Sequence, residues 1–182
     1  AKEKEKIFQK RDKIKPNLLW VRSIHSIYNP VMAIKVLYEI RKKIPHATLC
    51  MIGPAKDNTI IEIKRLINRL KLNDHIRITG KLDKKAWKRL SLDYDIFINT
   101  THYDNHPLTI IESMALGLPI ISTNVGGIPN LLNHNKTAKL VEDNDVSAMV
   151  SQIIEYLSND NERIQICMNA RRIVENNYSK EK

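Results

Sequence analysis

The stretch IFINTTHYDNHPLTIIESMALGLPIIS, Ile96–Ser122, holds one full turn of the pattern that decides the fold. It opens with Ile96–Asn99, a short run apolar on both faces, and crosses a polar loop. It then enters a helical segment over Leu108–Leu116 and returns to a second apolar run, Ile120–Ser122. Pro107 suits the first helical position, where a missing N–H costs nothing, and Gly117 with Pro119 stops the helix. Working outward, the same alternation repeats. Leu18–Val21 precedes a helix over Pro30–Lys43, and Ala47–Ile52 precedes Thr59–Leu70, where Ile60, Ile63, Ile67 and Leu70 fall at helical spacing. Ile76–Thr79 precedes Lys84–Ser91. After Ile120–Ser122 come a short turn at Ile128–Leu132, a last strand at Lys139–Val141, and helices over Val146–Leu157 and Asn161–Asn176. Short strands apolar on both faces belong to a parallel sheet covered by helices on both sides. The expected fold is α/β, a doubly wound, Rossmann-like parallel sheet of about six strands, with ligands at the carboxyl ends of the strands.

That placement puts chemistry on the loop and helix start of the quoted stretch. Free N–H groups near Leu108 and Thr109, together with the helix dipole, make an anion site suited to a diphosphate. Glu112 sits about one turn further on, among Ile110, Ile111, Met114 and Ala115, and a carboxylate on so apolar a helix needs a partner. Sugar hydroxyls would serve; so would a core cation. Asp104, read by itself, suits a turn residue after a strand equally well.

Composition bounds the rest. The chain has 182 residues, of which 42% are hydrophobic and 27% charged, the profile of one globular domain with an aliphatic core. Its longest apolar runs fall far short of a membrane span. The first residues are charged and resemble no secretory signal. Cys50 and Cys167 give neither a disulfide framework nor a zinc spacing, which suits a reducing cytoplasm. The formal net charge is +10, and residues 1–15 hold seven Lys or Arg against Glu3, Glu5 and Asp12. Residues 1–16 accordingly read as a charged linker and 17–182 as the domain. The remaining positive charge is spread over the surface, and Lys64, Arg65 and Arg69 interleave with a core face as on any solvated helix. This argues against nucleic acid as a partner, whereas a basic field also suits peripheral contact with an anionic membrane surface, such as the inner face of the membrane.

The chain resembles the C-terminal, donor-binding domain of the GT-B-fold retaining glycosyltransferases of family 4. Their signature is a Glu, seven residues and a second Glu, with a Pro inside and Ala-Met-Ala-x-Gly-x-Pro close behind. Asp104 and Glu112 have that spacing, Ser113–Pro119 matches the tail, and Val125-Gly126-Gly127-Ile128-Pro129 matches the Gly-Gly-x-Pro loop that follows. Met51-Ile52-Gly53 and Thr79-Gly80 extend the similarity, which covers roughly residues 17–178. The resemblance implies transfer of a sugar from a nucleotide-diphosphate donor, with retained anomeric configuration and without a metal-binding Asp-x-Asp motif. No cofactor and no metal ligand are called for.

Residue by residue, the resemblance implies that Asp104 contacts the donor sugar and Glu112 the ribose. The segment His106, Pro107, Leu108 and Thr109 then holds the diphosphate, which Arg22 grips. Gly80 and Lys81 line the nucleobase pocket, Gly53 belongs to the donor-binding set, and the loop of Gly126 and Gly127 meets charge on the diphosphate. Asp104, Arg22 and Glu112 form the catalytic set. The acceptor site, and often a further catalytic residue, lie in that family on an N-terminal domain across a cleft, so this chain by itself is expected to fold and bind donor but transfer nothing; no general base is assigned. The implied setting is synthesis of cell-surface polysaccharide or lipid-linked saccharide. Two alternatives stand beside it, an epimerase-type GT-B enzyme and a non-catalytic scaffold domain. Several positions depart from the pattern: Asp104 stands for Glu, Asn105 for Gly, Asn130 for Glu and Ala138 for Gly. The usual Lys a few residues after the Arg is missing, and His25 lies in that interval.

Overall fold

The computed structural model describes residues 11–178. Among these, six strands form one wholly parallel sheet: β1 (Asn17–Val21), β2 (Thr48–Ile52), β3 (Ile76–Gly80), β4 (Ile96–Asn99), β5 (Ile120–Thr123) and β6 (Lys139–Val141). Their order across the sheet is β3-β2-β1-β4-β5-β6. The chain winds outward from β1 to one edge, then returns to its other side at β4, so the order reverses between β1 and β4, where a doubly wound sheet opens a crevice. Seven helices connect and cover the strands: α1 (Pro30–Lys43), α2 (Thr59–Arg69), α3 (Lys84–Leu90), α4 (Leu108–Ala115), α5 (Ile128–Leu131), α6 (Val146–Ser158) and α7 (Asp160–Tyr178). The expected doubly wound α/β fold is what forms, with element ends within about two residues of those read from the sequence.

Side chains alternate across a strand, so β1, β2, β4 and β5 each feed two cores, whereas the edge strand β3 gives only the half-buried Ile76 and Ile78, to one of them. Leu18, Trp20 and Met51 pack with α1, α2 and α6 through Ile34, Leu37, Ile63, Leu66 and Ile153. Leu19, Val21, Cys50, Ile52 and Phe97 face the opposite layer, where Trp87 of α3, Ile110 and Met114 of α4, and Ala170 and Val174 of α7 meet them. Local signals set the helix starts. Asn29 takes a left-handed conformation (φ 47°) and accepts from the Met32 amide at 3.2 Å, with Pro30 following at the first helical position.

Part of the charged N-terminal segment joins the body. The first ten residues of the expected linker lie outside the described residues. Arg11 is buried, however, and donates to the carbonyls of Ser91 (2.8 Å), Leu116 (3.0 Å) and Tyr94 (3.3 Å). Arg163 of α7, also buried, donates to the carbonyls of Asp12 (2.8 Å), Arg11 (3.3 Å) and Tyr156 (2.7 Å) and pairs with Asp160. Burying a guanidinium is tolerable only because most of its donors find carbonyls. A second buried cation, Lys139 on edge strand β6, is held by Glu155 (2.9 Å) and Glu162 (2.7 Å).

Two outcomes follow. Arg163→Ala strips several carbonyls of their donor, and urea denaturation should show a loss of about 3 kcal/mol; a loss below about 1 kcal/mol would contradict the strap. Cys50 and Cys167 are both buried, and burial pushes their thiols up, Cys167 to about 12. Neither should react with a thiol reagent in the native protein at mildly alkaline pH, and both should react once it is unfolded.

Candidate functional site

The carboxyl edge of the sheet is where polar side chains enter the core. Asn99, Thr100, Thr101, Ser122 and Thr123 are all buried there. Apart from Asn99 Oδ1, which has no partner among the described residues, their side-chain polar atoms are satisfied by one another and by the backbone. Trp20 Nε1 donates to Thr100 Oγ1 (3.0 Å), which donates onward to the Asn29 carbonyl (2.8 Å). Asn99 donates to Ser122 Oγ (2.9 Å), and Thr123 Oγ1 to the Thr101 carbonyl (2.6 Å). The hydroxyl pairs of this belt tie together the strand ends on which the following loops stand.

On that base, Arg22 at the end of β1 meets Asp104 in the loop after β4. Arg22 Nη2 is ion-paired to Asp104 Oδ2, and both side chains are largely buried. The guanidinium also lies 5.3 Å from the centre of the Tyr28 ring, a cation–π distance. Asp104 accepts the His106 amide through its other oxygen (3.0 Å). The Gly126–Gly127 loop seats this segment. Gly126 has φ +57°, and a Cβ there would lie 2.6 Å from the Asp104 carbonyl oxygen; the Gly127 amide donates to that oxygen at 2.9 Å. The amide of Gly127 is thus committed to the protein, and the loop supports Asp104. Gly53 has the same kind of duty beside β1, since a Cβ would lie 1.8 Å from the Arg22 carbonyl oxygen.

Arg22, Gly53, Lys81 and Thr109 line one cavity of about 320 Å³, with Val21, Tyr28, Ile52 and Trp87 among its walls. Arg22 Nε and Thr109 Oγ1 are buried and have no hydrogen-bond partner among the described residues. Gly80 closes the edge behind Gly53, whose amide donates to its carbonyl (2.9 Å). Pro107, which suits the first helical position, is the cap residue, and α4 starts at Leu108 as the sequence indicates. The Leu108 amide is not free, since it donates to the His106 carbonyl (2.8 Å), and the Leu108 side chain is exposed. Thr109 is the residue of this segment that reaches the cavity. Its i+3 neighbour Glu112 lies on the same helix face, and its carboxylate, only 16% exposed, is held by Lys84 Nζ of α3 at 2.8 Å, with Lys88 Nζ at 3.9 Å.

His25 stays local. Its Nδ1 accepts the Ile27 amide (3.1 Å) at the head of a short 3-10 turn, Ser26–Tyr28, and Asp57 accepts the Ser26 amide (3.0 Å). The bonds from Ser26, then Thr59, hold the Asp57 carboxyl well below the usual carboxylate range. Sequence reasoning missed Tyr28, Trp87, Lys84 and Lys88. Nothing local marks the lysines, whereas Tyr28 falls in the inspected interval after β1.

Two Asp-x-Asp triplets also escaped that reading. Asp93-Tyr94-Asp95 precedes β4, away from the carboxyl edge, and Asp95 accepts from Asn17 (3.2 Å). In Asp143-Asn144-Asp145, Asp143 pairs with His102 (2.8 Å) and Asp145 caps α6 through the Ala148 amide (2.8 Å). No group of three or more His, Cys, Asp or Glu among the described residues could hold a metal ion. No described helix is long and apolar enough to cross a membrane.

The chain is 27% identical over 180 residues to the N-acetyl-alpha-D-glucosaminyl L-malate synthase of Bacillus anthracis, which covers 98% of this chain and 45% of that protein. It therefore spans less than half the length of that relative. Among solved structures, HepE of Anabaena in complex with UDP and glucose superimposes with a TM-score of 0.83 at 17% identity, covering 98% of this chain and 49% of HepE. The C-terminal domain of the group 1 glycosyl transferase LpcC from Francisella tularensis gives 0.81 at 19% identity, covering 100% of this chain and 95% of that domain. These likenesses fit the C-terminal half of a GT-B enzyme. The model of the family "Glycosyl transferases group 1" matches residues 1–173, and the chain belongs to that family.

Proposed function

We propose that this chain is the donor-binding half of a retaining family-4 glycosyltransferase and that the cavity beside Arg22 and Thr109 receives a nucleotide-diphosphate sugar. The observation that carries this reading is a pair of buried polar atoms, Arg22 Nε and Thr109 Oγ1, left without partners on residues that line one cavity. Buried polar groups are nearly always paired, so two orphans in one place point to a ligand that completes them. A volume of about 320 Å³ is at the small end for a ligand site. It suits the nucleotide, with the sugar lying outside toward Asp104.

Each role follows from position. The diphosphate lies between the Arg22 guanidinium and the start of α4, where the dipole and the Thr109 hydroxyl favour negative charge. Those donors stabilise the charge that gathers on the leaving diphosphate, which dispenses with a divalent metal. Glu112 accepts from the ribose hydroxyls, and the base extends toward Gly80 and Lys81. Asp104 reaches the sugar through the carboxylate that Arg22 orients. HepE, similar in fold, carries UDP and glucose in its crystal, and the relative from Bacillus anthracis bears the name of an N-acetylglucosaminyl transfer enzyme. Acceptor binding belongs to the N-terminal half, because the reacting carbon must be held against an acceptor and screened from water. Synthesis of cell-surface or lipid-linked glycan is the setting this reading favours, with the basic surface available for peripheral membrane contact.

Titration calorimetry with nucleosides and nucleoside diphosphates tests the site. Glu112→Gln should weaken nucleotide binding by about 1 kcal/mol, through loss of a charged acceptor. Arg22→Ala should weaken diphosphates far more than nucleosides, and equal losses would refute the phosphate assignment. Affinity should match in EDTA and in magnesium; a tenfold difference, about 1.4 kcal/mol, would reject metal-free binding.

A further inference from the structure

Glu112 is held by α3 of its own chain. Its carboxylate is 16% exposed, and both cations that approach it come from that helix, Lys84 Nζ at 2.8 Å and Lys88 Nζ at 3.9 Å from the same oxygen. A carboxylate so far withdrawn from water requires a partner whether or not a ligand is present. Lys84 supplies one, yet its own side chain is 71% exposed. The two ends of the pair therefore differ. Glu112 is fixed on a helix in the core layer, while Lys84 reaches it on a long flexible stem and returns to water at little cost.

We propose that Lys84, seconded by Lys88, is a competing counter-ion that occupies Glu112 in the empty site and yields it to the ribose when a nucleotide binds. The proposal rests on the donor-site reading above and adds specificity-determining residues to it. Ribose hydroxyls and the ammonium both donate to one carboxylate, so the ligand gains the hydroxyl bonds minus the ion pair. A partly exposed lysine pair is weak, and its removal changes an equilibrium by about two- to fivefold. The effect has opposite signs for two ligand classes. A neutral nucleoside only competes with the lysines, whereas a nucleoside diphosphate also benefits from nearby positive charge. The pair is not what holds α3 in place: Trp87 is buried in the core, and Asp83 caps the helix through the Ala86 amide (2.7 Å).

The test compares the unaltered chain with K84Q/K88Q, using uridine, guanosine, UDP and GDP as probes, with binding followed by NMR or calorimetry. At low salt the variant should bind the nucleoside about two- to fivefold tighter, and the diphosphate should gain less than the nucleoside or lose affinity. In the unaltered chain, added salt should raise nucleoside affinity by screening the pair; the variant should show no such rise. In an E112Q background the lysine substitutions should leave nucleoside affinity unchanged. Nucleoside affinity that stays the same or falls in K84Q/K88Q, while UDP or GDP still binds, overturns the competing role and spares the donor-site reading. Absence of binding by both diphosphates to the unaltered chain overturns the two together.

Discussion

Every strand of this sheet runs in the same direction, and that constraint governs what the rest of the molecule can do. A parallel strand can be reached only by carrying the chain back across a face of the sheet, so helices must cover both sides. Strands covered on both sides cannot alternate polar and apolar residues. In β1, Leu18, Leu19, Trp20 and Val21 are all buried. Polar chemistry is thereby pushed to the strand ends. There the order reverses between β1 and β4, and the two chain segments on either side of the reversal carry Arg22 and Asp104.

Charges at that edge are paired before any ligand arrives. Arg22 meets Asp104, and Glu112 meets Lys84. Leaving one buried charge unpaired costs far more than a pair contributes, so a domain that must persist without its ligand has reason to bring its own counter-ions. Under the proposed function, binding is an exchange of partners rather than the filling of an open charge. The affinity of such a site reports the difference between two sets of contacts, which makes the choice of internal partner a means of tuning it. The buried hydroxyl belt beneath keeps the exchange local, because Thr100, Thr101 and Thr123 are already satisfied.

Far from this edge, guanidinium groups hold two ends of the domain together. Arg11 caps carbonyls of Ser91, Tyr94 and Leu116, and Arg163 holds the carbonyls of Arg11 and Asp12. The segment that leads into β1 and the last helix are thus one packed unit, and a displacement of either strains the other. By its composition the segment 1–16 reads as a charged linker. Arg11 shows that a charged residue of such a segment can still be buried, because its planar fork satisfies several carbonyls at once.

The order of elements, the two-sided burial of the inner strands β1, β2, β4 and β5, and the helix starts at Pro30, Leu108 and Val146 were determined by the sequence alone; the edge strand β3, with Arg77 exposed, departs from the two-sided pattern. These depend on local causes: apolar period, proline and glycine at helix ends, and side chains that cap the next turn. The Asp104–Glu112 spacing was equally legible, since one strand end and one helix hold both. Only the tertiary structure decided what those carboxylates touch. Arg22 and Asp104 are 82 residues apart in the chain and meet because β1 and β4 are neighbours. Lys84 reaches Glu112 because α3 and α4 lie on the same face of the sheet, with Trp87 and Ile110 in one core. With 30 Lys or Arg and 20 Asp or Glu in the chain, no pattern along the sequence selects these pairs. An ion pair needs proximity alone, and proximity across a sheet is set by which strands adjoin.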